Sequence, residues 1–402
     1  MQLTPSQLAF TFSSVGHFFF HYFVAMYFTI VVAMARSWTN PYHELIELWT
    51  PGFLLVGLAA LPAGKLADRW SAPPLLVIMF IGMGLTTILC GFMTTTTGMM
   101  IALAGLGLAA SIYHPVGLPW LIRTSSGSTG KKLALNGLFG GVGSAAAGAL
   151  TGLILVIGNW QSAFIVPGLV CLGCGLLMGW YTLRGRFEVG STAQSDTVSS
   201  HGRSNRNAFL LMLFPLFSMG LIYNAMQGML PKLLEEQAAF LLQGNLALIG
   251  SLVGVVYGIA ALMQLVGGWL ADRYDLKRVY WYGWMTQPPL LLLITVTENM
   301  TLIVITVILV ACHTAAMPSE NLMLSRFSPR DKQGMAFGIK FVLTFGAGPL
   351  AVEMISLARE YYGDFDPLVL GLLAVSLVTV LVISFLPSRT ERIRGNVQAS
   401  EA

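Results

Sequence analysis

The chain has 402 residues, of which 55% are hydrophobic and 10% charged, with a mean hydropathy of +0.72. A soluble domain carries about a quarter charged residues, so this set cannot cover a water-soluble globule, and soluble enzymes, nucleic-acid binders and disordered proteins are excluded. The net charge of +4 comes from 22 basic and 18 acidic residues, and their placement along the chain matters more than their sum.

A membrane-crossing helix needs about 20 mostly apolar residues. In chain order, twelve such stretches lie near 9–34, 45–66, 75–94, 98–122, 133–157, 161–183, 207–230, 245–270, 279–297, 300–325, 334–358 and 367–386. The first is too long for a cleaved leader and nothing basic precedes it, so it is expected to remain as a spanning helix. The runs are unbroken, where barrel strands would alternate every second residue, so the fold class is an all-α membrane protein. Cys90, Cys171, Cys174 and Cys312 all fall inside apolar runs, and the Cys171-x-x-Cys174 spacing has no second pair beside it, so these read as packing residues.

Basic residues set the orientation. Every second loop, together with the C-terminal tail, holds Lys65 and Arg69; Arg123, Lys131 and Lys132; Arg184, Arg186, Arg203 and Arg206; Arg273, Lys277 and Arg278; Arg326, Arg330 and Lys332; and Arg389, Arg392 and Arg394. The opposite loops hold only Arg36, Lys232 and Arg359, and Lys340 lies inside a span. This asymmetry predicts both termini in the cytoplasm and an even number of spans.

The polar stretch after span six, rich in Ser, Gly, Thr and Asn, predicts a cytoplasmic linker over 184–206 between a first bundle (1–183) and a second (207–388), with a cytoplasmic tail over 389–402. The two halves repeat one pattern. Gly64-Lys65-Leu66-Ala67-Asp68-Arg69-Trp70 follows span two, and Gly268-Trp269-Leu270-Ala271-Asp272-Arg273-Tyr274 follows span eight, 204 positions later. Pro115 matches Pro318 and Arg123 matches Arg326 at an offset of 203, and Gly137 matches Gly338 at 201. Landmarks in one order at nearly constant offset indicate a tandem duplication of a six-helix unit.

The duplicated motif resembles the signature of the major facilitator superfamily, in which the loop between helices two and three reads roughly Gly-x-Leu-Ala-Asp-Arg-x-Gly-Arg-Lys. The first copy has Ser71, Ala72 and Pro73 where Gly and basic residues are usual, while the second recovers Lys277 and Arg278. The resemblance implies twelve helices in two six-helix bundles, the major facilitator fold. In physical terms, Gly64 and Gly268 permit close helix approach, and Asp68 and Asp272 can accept hydrogen bonds from a neighbouring helix N-terminus. Arg123 and Arg326 end spans four and ten on the same side, so each can pair with its own half's Asp. Gly64, Asp68, Arg69, Arg123, Gly268, Asp272, Arg273 and Arg326 are the expected conformational latch; the plainer alternative is that these charges only mark the membrane interface.

In that superfamily helices one, four, seven and ten line the central cavity, which directs attention to polar residues in those spans, because ionisable groups at bilayer depth usually face a wet path or a partner. His17 and His21 in span one share a helical face, His114 lies in span four and His313 in span ten, seven residues before Glu320. Such imidazoles can carry a coupling proton, hydrogen-bond a polar solute, favour an anion when charged, or simply fix helix packing. An i, i+4 His pair also has chelating spacing, but no carboxylate or Cys cluster joins it in sequence, so no metal is expected. Asn224 and Gln227 in span seven share a face and suit a neutral or zwitterionic solute. Lys340 can either snorkel to the surface or pair with Glu320, and Glu353 is a further polar group at depth. The small residues of span five, Gly137, Gly140, Gly141, Gly143, Gly148 and Gly152, predict close packing against the other half.

Tyr113-His114-Pro115 is similar to the aromatic-His-Pro element in helix four of permeases resembling the fosmidomycin-resistance exporters, a group that also carries a His early in helix one, here His17. Two positions depart from that group: His21 replaces its acidic residue one turn later, and the Arg common early in helix four of proton-driven drug antiporters is missing before Gly105-Leu106-Gly107. The expected function is secondary active transport of a small organic solute by alternating access, proton-coupled, covering drug or metabolite efflux and organic-acid uptake. The alternative is a transporter-like membrane sensor, scaffold or assembly protein without flux. No Gly-x4-Gly-Lys-Ser/Thr loop is present, and Gly127-Ser128-Thr129-Gly130-Lys131-Lys132 lacks its spacing, so the proton gradient is the expected driving force, without a cofactor. No enzyme activity is expected. Expected partners are the solute, protons and the lipid of a bacterial-type inner membrane, with no nucleic acid and the chain a monomer.

Overall fold

A computed structural model describes residues 4–67, 69–125, 129–187, 205–329 and 333–388. The first half contains α1 (Pro5–Met34), α2 (Tyr42–Glu47), α3 (Thr50–Leu58), α4 (Ala60–Ala67), α5 (Ala72–Cys90), α6 (Thr96–Ala110), α7 (Tyr113–Thr124), α8 (Thr129–Ile157) and α9 (Trp160–Leu183). The second contains α10 (Arg206–Gln237), α11 (Ala239–Leu242), α12 (Leu246–Arg273), α13 (Leu276–Met285), α14 (Gln287–Ile294), α15 (Asn299–Phe327), α16 (Gln333–Tyr361) and α17 (Asp366–Ser384). Helix α10 starts one residue inside the linker expected over 184–206. Most of that linker and the tail from 389 lie outside the described residues.

Local chemistry sets the helix starts. Pro5 occupies the first turn of α1, and Thr4 and Gln7 form a reciprocal capping box in which the Thr4 amide donates to Gln7 Oε1 at 2.9 Å. Thr95, Asn159, Asn205, Asn245 and Asp275 cap α6, α9, α10, α12 and α13 by accepting from backbone amides one turn on. Prolines set the interruptions, because each removes the donor to the carbonyl four residues back. The helical hydrogen-bond ladder is interrupted next to Glu47, Leu58, Ser111 and Met285, four residues before Pro51, Pro62, Pro115 and Pro289, while the backbone there keeps right-handed helical dihedrals. Pro167, Pro215, Pro231, Pro318 and Pro349 are carried inside continuous helices.

Among the described residues, eleven helical segments are long and apolar enough to cross a membrane, with α2–α4 acting as one segment (Tyr42–Ala67) and α6–α7 as another (Thr96–Thr124). The stretch expected as the ninth span folds as α13 and α14, which the Pro288–Pro289 pair keeps as two short helices. Large apolar side chains such as Leu58, Ile101, Leu153, Leu262 and Leu381 are exposed on the outer helix faces, as lipid contact requires.

Contacts between helix ends define two ends of the molecule. At the end carrying the basic loops, Lys277 Nζ donates to the Ser384 carbonyl (2.8 Å), Trp281 Nε1 to Ser384 Oγ (2.9 Å), and the Asn205 amide to the Phe327 carbonyl (3.2 Å). At the opposite end the two halves are tied together. Arg36 after α1 pairs with Glu235 of α10 and donates to the Gly244 carbonyl, and Ser356 of α16 donates to the His43 carbonyl and to Glu47 at the end of α2. Lys232 bridges Glu235 and Glu236, and Arg359 grips Glu236 with both terminal nitrogens at 2.7 and 2.8 Å.

The small-residue face of α8 packs on α12 of the other half. A Cβ on Gly250 would fall 2.4 Å from the Gly148 carbonyl oxygen, one on Gly152 would fall 2.5 Å from the Leu246 carbonyl, and one on Gly141 would meet the Ala261 Cβ at 2.4 Å. One turn further toward the basic end, Gly137 has nothing within 4 Å of its Cβ position, and the same holds for Gly268 and Gly338. The halves therefore touch over the end opposite the basic loops and part toward the basic end. Gly250→Val is expected to force backbone against backbone and cost about 1–3 kcal/mol, seen as a lower unfolding temperature in detergent. Gly137→Ala and Gly268→Ala, which meet open space, are expected to leave that temperature unchanged or slightly raised.

Candidate functional site

The seam between the halves holds a cluster of rings. On α1, His17 and His21 face each other one turn apart, with ring centroids at 4.9 Å. Ser111 and Ile112, where the hydrogen-bond ladder is interrupted with helical dihedrals kept, precede Tyr113 and His114 at the start of α7. The Tyr113 ring fits beside two glycines, since a Cβ on Gly16 or Gly117 would fall 3.1 or 2.8 Å from its Cε2, and it stacks on His17 at 4.8 Å. His114 lies 5.4 Å from His17 and 5.9 Å from His21, centroid to centroid. It also reaches across to the second half, stacking on Phe341 of α16 at 4.9 Å and leaning on Phe345 at 5.1 Å, while Phe20 closes its edge at 4.5 Å.

Asn136 on α8 organises this cluster from below. His17 Nδ1 lies 2.8 Å from the Asn136 carbonyl and 2.9 Å from its Oδ1; both only accept, so Nδ1 is the protonated nitrogen. Asn136 Nδ2 donates to Tyr113 (3.2 Å), Ser13 (3.3 Å) and Ser14, and Tyr113 donates to the Ser13 carbonyl at 2.9 Å. His114 differs: both of its ring nitrogens are buried without a partner.

The remaining cavity candidates form a separate group in the second half. His313 is fully engaged: Nε2 donates to the Met219 carbonyl (3.1 Å), and Nδ1 lies 3.1 Å from the Gln287 amide, which can turn its nitrogen to donate. Glu320 has no exposed surface; it accepts from Lys340 Nζ at 2.7 Å and from Tyr280 at 2.6 Å, and Lys340 also donates to Asn321. Of the two fates open to Lys340, the structure takes the pair. Asn224 donates to the Thr344 carbonyl at 3.0 Å, tying α10 to α16, and Gln227 is buried beside it with its amide nitrogen unpartnered.

The latch residues lie at the basic end. Gly64 packs on Pro115, 3.5 Å from Cβ position to Cβ, whereas Gly268 faces open space. Asp68 lies outside the described residues. Arg69, Arg123 and Asp272 are exposed, and Asp272 forms no ion pair among the described residues. The Arg273 guanidinium lies 4.2 Å over the Trp269 ring. Arg326 has an interaction of its own at the close of α15.

Asn136, Phe341 and Phe345 were not among the candidates drawn from the sequence. Asn136 sits in span five, outside the helices assigned to the cavity, and its only signal is a polar side chain amid glycines and leucines. The charge pair offers a direct check. Glu320→Gln or Lys340→Met alone is expected to leave one buried charge unmatched and destabilise the protein by about 3–5 kcal/mol. The double variant should lose much less than the two single losses combined, as a double-mutant cycle of thermal unfolding would read.

Comparison with known proteins accords with this architecture. The chain is 26% identical to a benzoate transport protein of Acinetobacter baylyi over 89% of this chain and 86% of that one. It is 24% identical to a gallate transporter of Pseudomonas putida over 64% and 63% of the two chains, and 27% identical to the multidrug resistance protein MdtG of a Rahnella species over 70% of each. Among solved structures, a bacterial homologue of the human lysosomal transporter Spinster superposes with a TM-score of 0.66 in its inward-facing unoccupied form and 0.70 in its inward-facing occupied form, at 12% and 13% identity, over 96% of this chain and 95% of that one. The family pattern of the Major Facilitator Superfamily matches residues 13–351 and 233–401. The chain belongs to the Major Facilitator Superfamily: it is a multi-pass integral membrane protein of a transporter family and not an enzyme.

Proposed function

We propose that this protein is a proton-coupled secondary transporter of small organic acids, aromatic carboxylates foremost, in a bacterial inner membrane. It works as a monomer by rocking its two halves about the ring cluster at their seam. The observation that carries this is the asymmetry of the seam: backbone-close packing and ion pairs at one end, open space beside Gly137, Gly268 and Gly338 at the other, and buried imidazoles between. In this reading α13 and α14 together make the ninth of twelve crossings, both termini are cytoplasmic, and the state described is open to the cytoplasm. The relatives named for benzoate and gallate support an aromatic acid, and so does the chemistry of the seam, where imidazoles that can donate to a carboxylate adjoin the Phe20, Phe341 and Phe345 rings. The Tyr113-His114-Pro115 element keeps its likeness to the fosmidomycin-resistance-like permeases within the same reading. Opening the other end requires Arg36 to leave Glu235, and the duplicated Asp-Arg motifs would then latch the basic end.

Two measurements test this. Proteoliposomes holding the purified protein should take up labelled benzoate with saturation and dependence on a pH gradient, and His114→Gln should cut the rate at least tenfold in protein that elutes like the wild type on gel filtration. Vesicles that move no aromatic acid would sink the transport reading and favour the sensor or scaffold class. Separately, Glu235→Gln weakens the contacts to Arg36 and Lys232 by roughly 1 kcal/mol in all. Spin labels at Ser37 and Ala239 should then show the longer, opened distance populated up to about fivefold more.

A further inference from the structure

The sequence sets metal binding aside because nothing adjoins His17 and His21 along the chain. The fold supplies a third ligand from 93 positions away: His17, His21 and His114 each offer a ring nitrogen, and the three atoms lie within 4.8 Å of one another.

Several features mark these rings as a built site. His114 is only 9% exposed, yet neither ring nitrogen has a partner. Each unsatisfied polar atom in such a place costs about 1–3 kcal/mol, a cost that a ligand at those nitrogens removes. His21 forms no hydrogen bond among the described residues either. His17 has its Nδ1–H bound to Asn136, which leaves Nε2 with a free lone pair. Metal-binding histidines are commonly oriented in this way, through a carbonyl or carboxamide on the nitrogen that does not ligate. Gly140 belongs to the same arrangement, since a Cβ there would fall 2.7 Å from His17 Nε2.

The donor chemistry selects the ion. Mg2+ and Ca2+ take oxygen ligands, whereas neutral imidazoles suit Zn2+ and its d-block neighbours. Zn–N bonds are about 2.0–2.1 Å, so the three rings must draw together by about an ångström, a change open to the unpartnered His114 and the half-buried His21. Three neutral ligands leave a fourth position for water or an anion.

We propose that His17, His21 and His114 form a binding site for a divalent d-block cation of the Zn2+ class, with Asn136 as the positioning residue for His17. The site goes beyond organic-acid transport and does not depend on it.

The test uses full-length protein in detergent, purified through a tag without histidines, stripped with chelator and titrated with Co2+. One equivalent should bind with the visible absorption bands of nitrogen-ligated, low-coordinate cobalt. Zn2+ should displace it and excess Mg2+ should not. Asn136→Ala should weaken binding roughly ten- to a hundredfold, and His21→Gln and His114→Ala should each abolish the bands. Gel filtration monitors the fold of every variant, and His21→Gln, at a half-buried position, serves if His114→Ala does not fold. Absent bands in the wild type would overturn the proposal, as would bands that persist in both His variants and so belong to donors outside the three-histidine cluster. Since no flux is measured, a cobalt signal without benzoate transport would sink only the transport reading, and transport without a cobalt signal only the metal site.

Discussion

A helix in hydrocarbon has no water to complete its hydrogen bonds, so every polar group must find its partner within the protein. That constraint accounts for much of the architecture. Where a proline withholds a donor from the carbonyl four residues back, the helical hydrogen-bond ladder is interrupted in the first half next to Glu47, Leu58 and Ser111. In α15 the chain stays helical through Pro318, and the Thr314 hydroxyl there bonds the Val310, Ala311 and Ala260 carbonyls, tying the helix to α12. The same constraint explains why Glu320, with no exposed surface, holds both Lys340 and Tyr280, and why His313 spends both ring nitrogens on neighbours. Other buried polar atoms also lack a partner, among them Gln227 Nε2 and the indole nitrogens of Trp49, Trp120 and Trp284, but His114 is set apart by leaving two nitrogens bare on one ring.

The constraint also divides the molecule end from end. Arg36, Lys232 and Arg359 are the three basic residues that violate the one-sided distribution of charge in the loops, and all three belong to one network closed by Glu235 and Glu236. Only the Arg36–Glu235 pair crosses between the halves, while Lys232 and Arg359 hold Glu235 and Glu236 from within the second half. Individually such partly exposed pairs are weak, which fits the release that the proposed transport cycle calls for. The glycine seam of α8 and α12 lets the backbones meet beneath this network, and at Gly137 and Gly268 the same helices leave open space.

Much of the fold was legible because it is periodic or repeated. Eleven of the twelve apolar runs of bilayer length fold, among the described residues, as helices long and apolar enough to cross a membrane, and Gly-x-Leu-Ala-Asp-Arg recurs in the sequence at an offset of 204. The small-residue face of span five announced a close interface, which the Gly148–Gly250 approach bears out. What stayed hidden depends on pairing across long separations, which leaves no period to read. Asn136 meets His17 over 119 positions, and Lys340 reaches Glu320 only because α15 and α16 lie side by side. The broken ninth stretch looked like an ordinary span because composition alone cannot weigh two adjacent prolines against apolar length.

The duplication preserved the helices but not their chemistry. At offsets of 201–204, His17, His21 and His114 correspond to Leu221, Ala225 and Met317 in the second half, and Asn136 corresponds to Phe337. Conversely, Glu320 and Lys340 correspond to Gly117 and Phe139 in the first. Each half has thus kept the residues that turn, cap and pack its helices while gathering a different set of polar groups, imidazoles in one and an ion pair in the other. A symmetric pair of lobes would present the same groups to a solute from both sides. In the proposed reading, a solute at the seam meets nitrogen donors on one side and, on the other, the Phe341 and Phe345 rings. That is the arrangement needed to orient a molecule whose two ends differ, one polar and one aromatic.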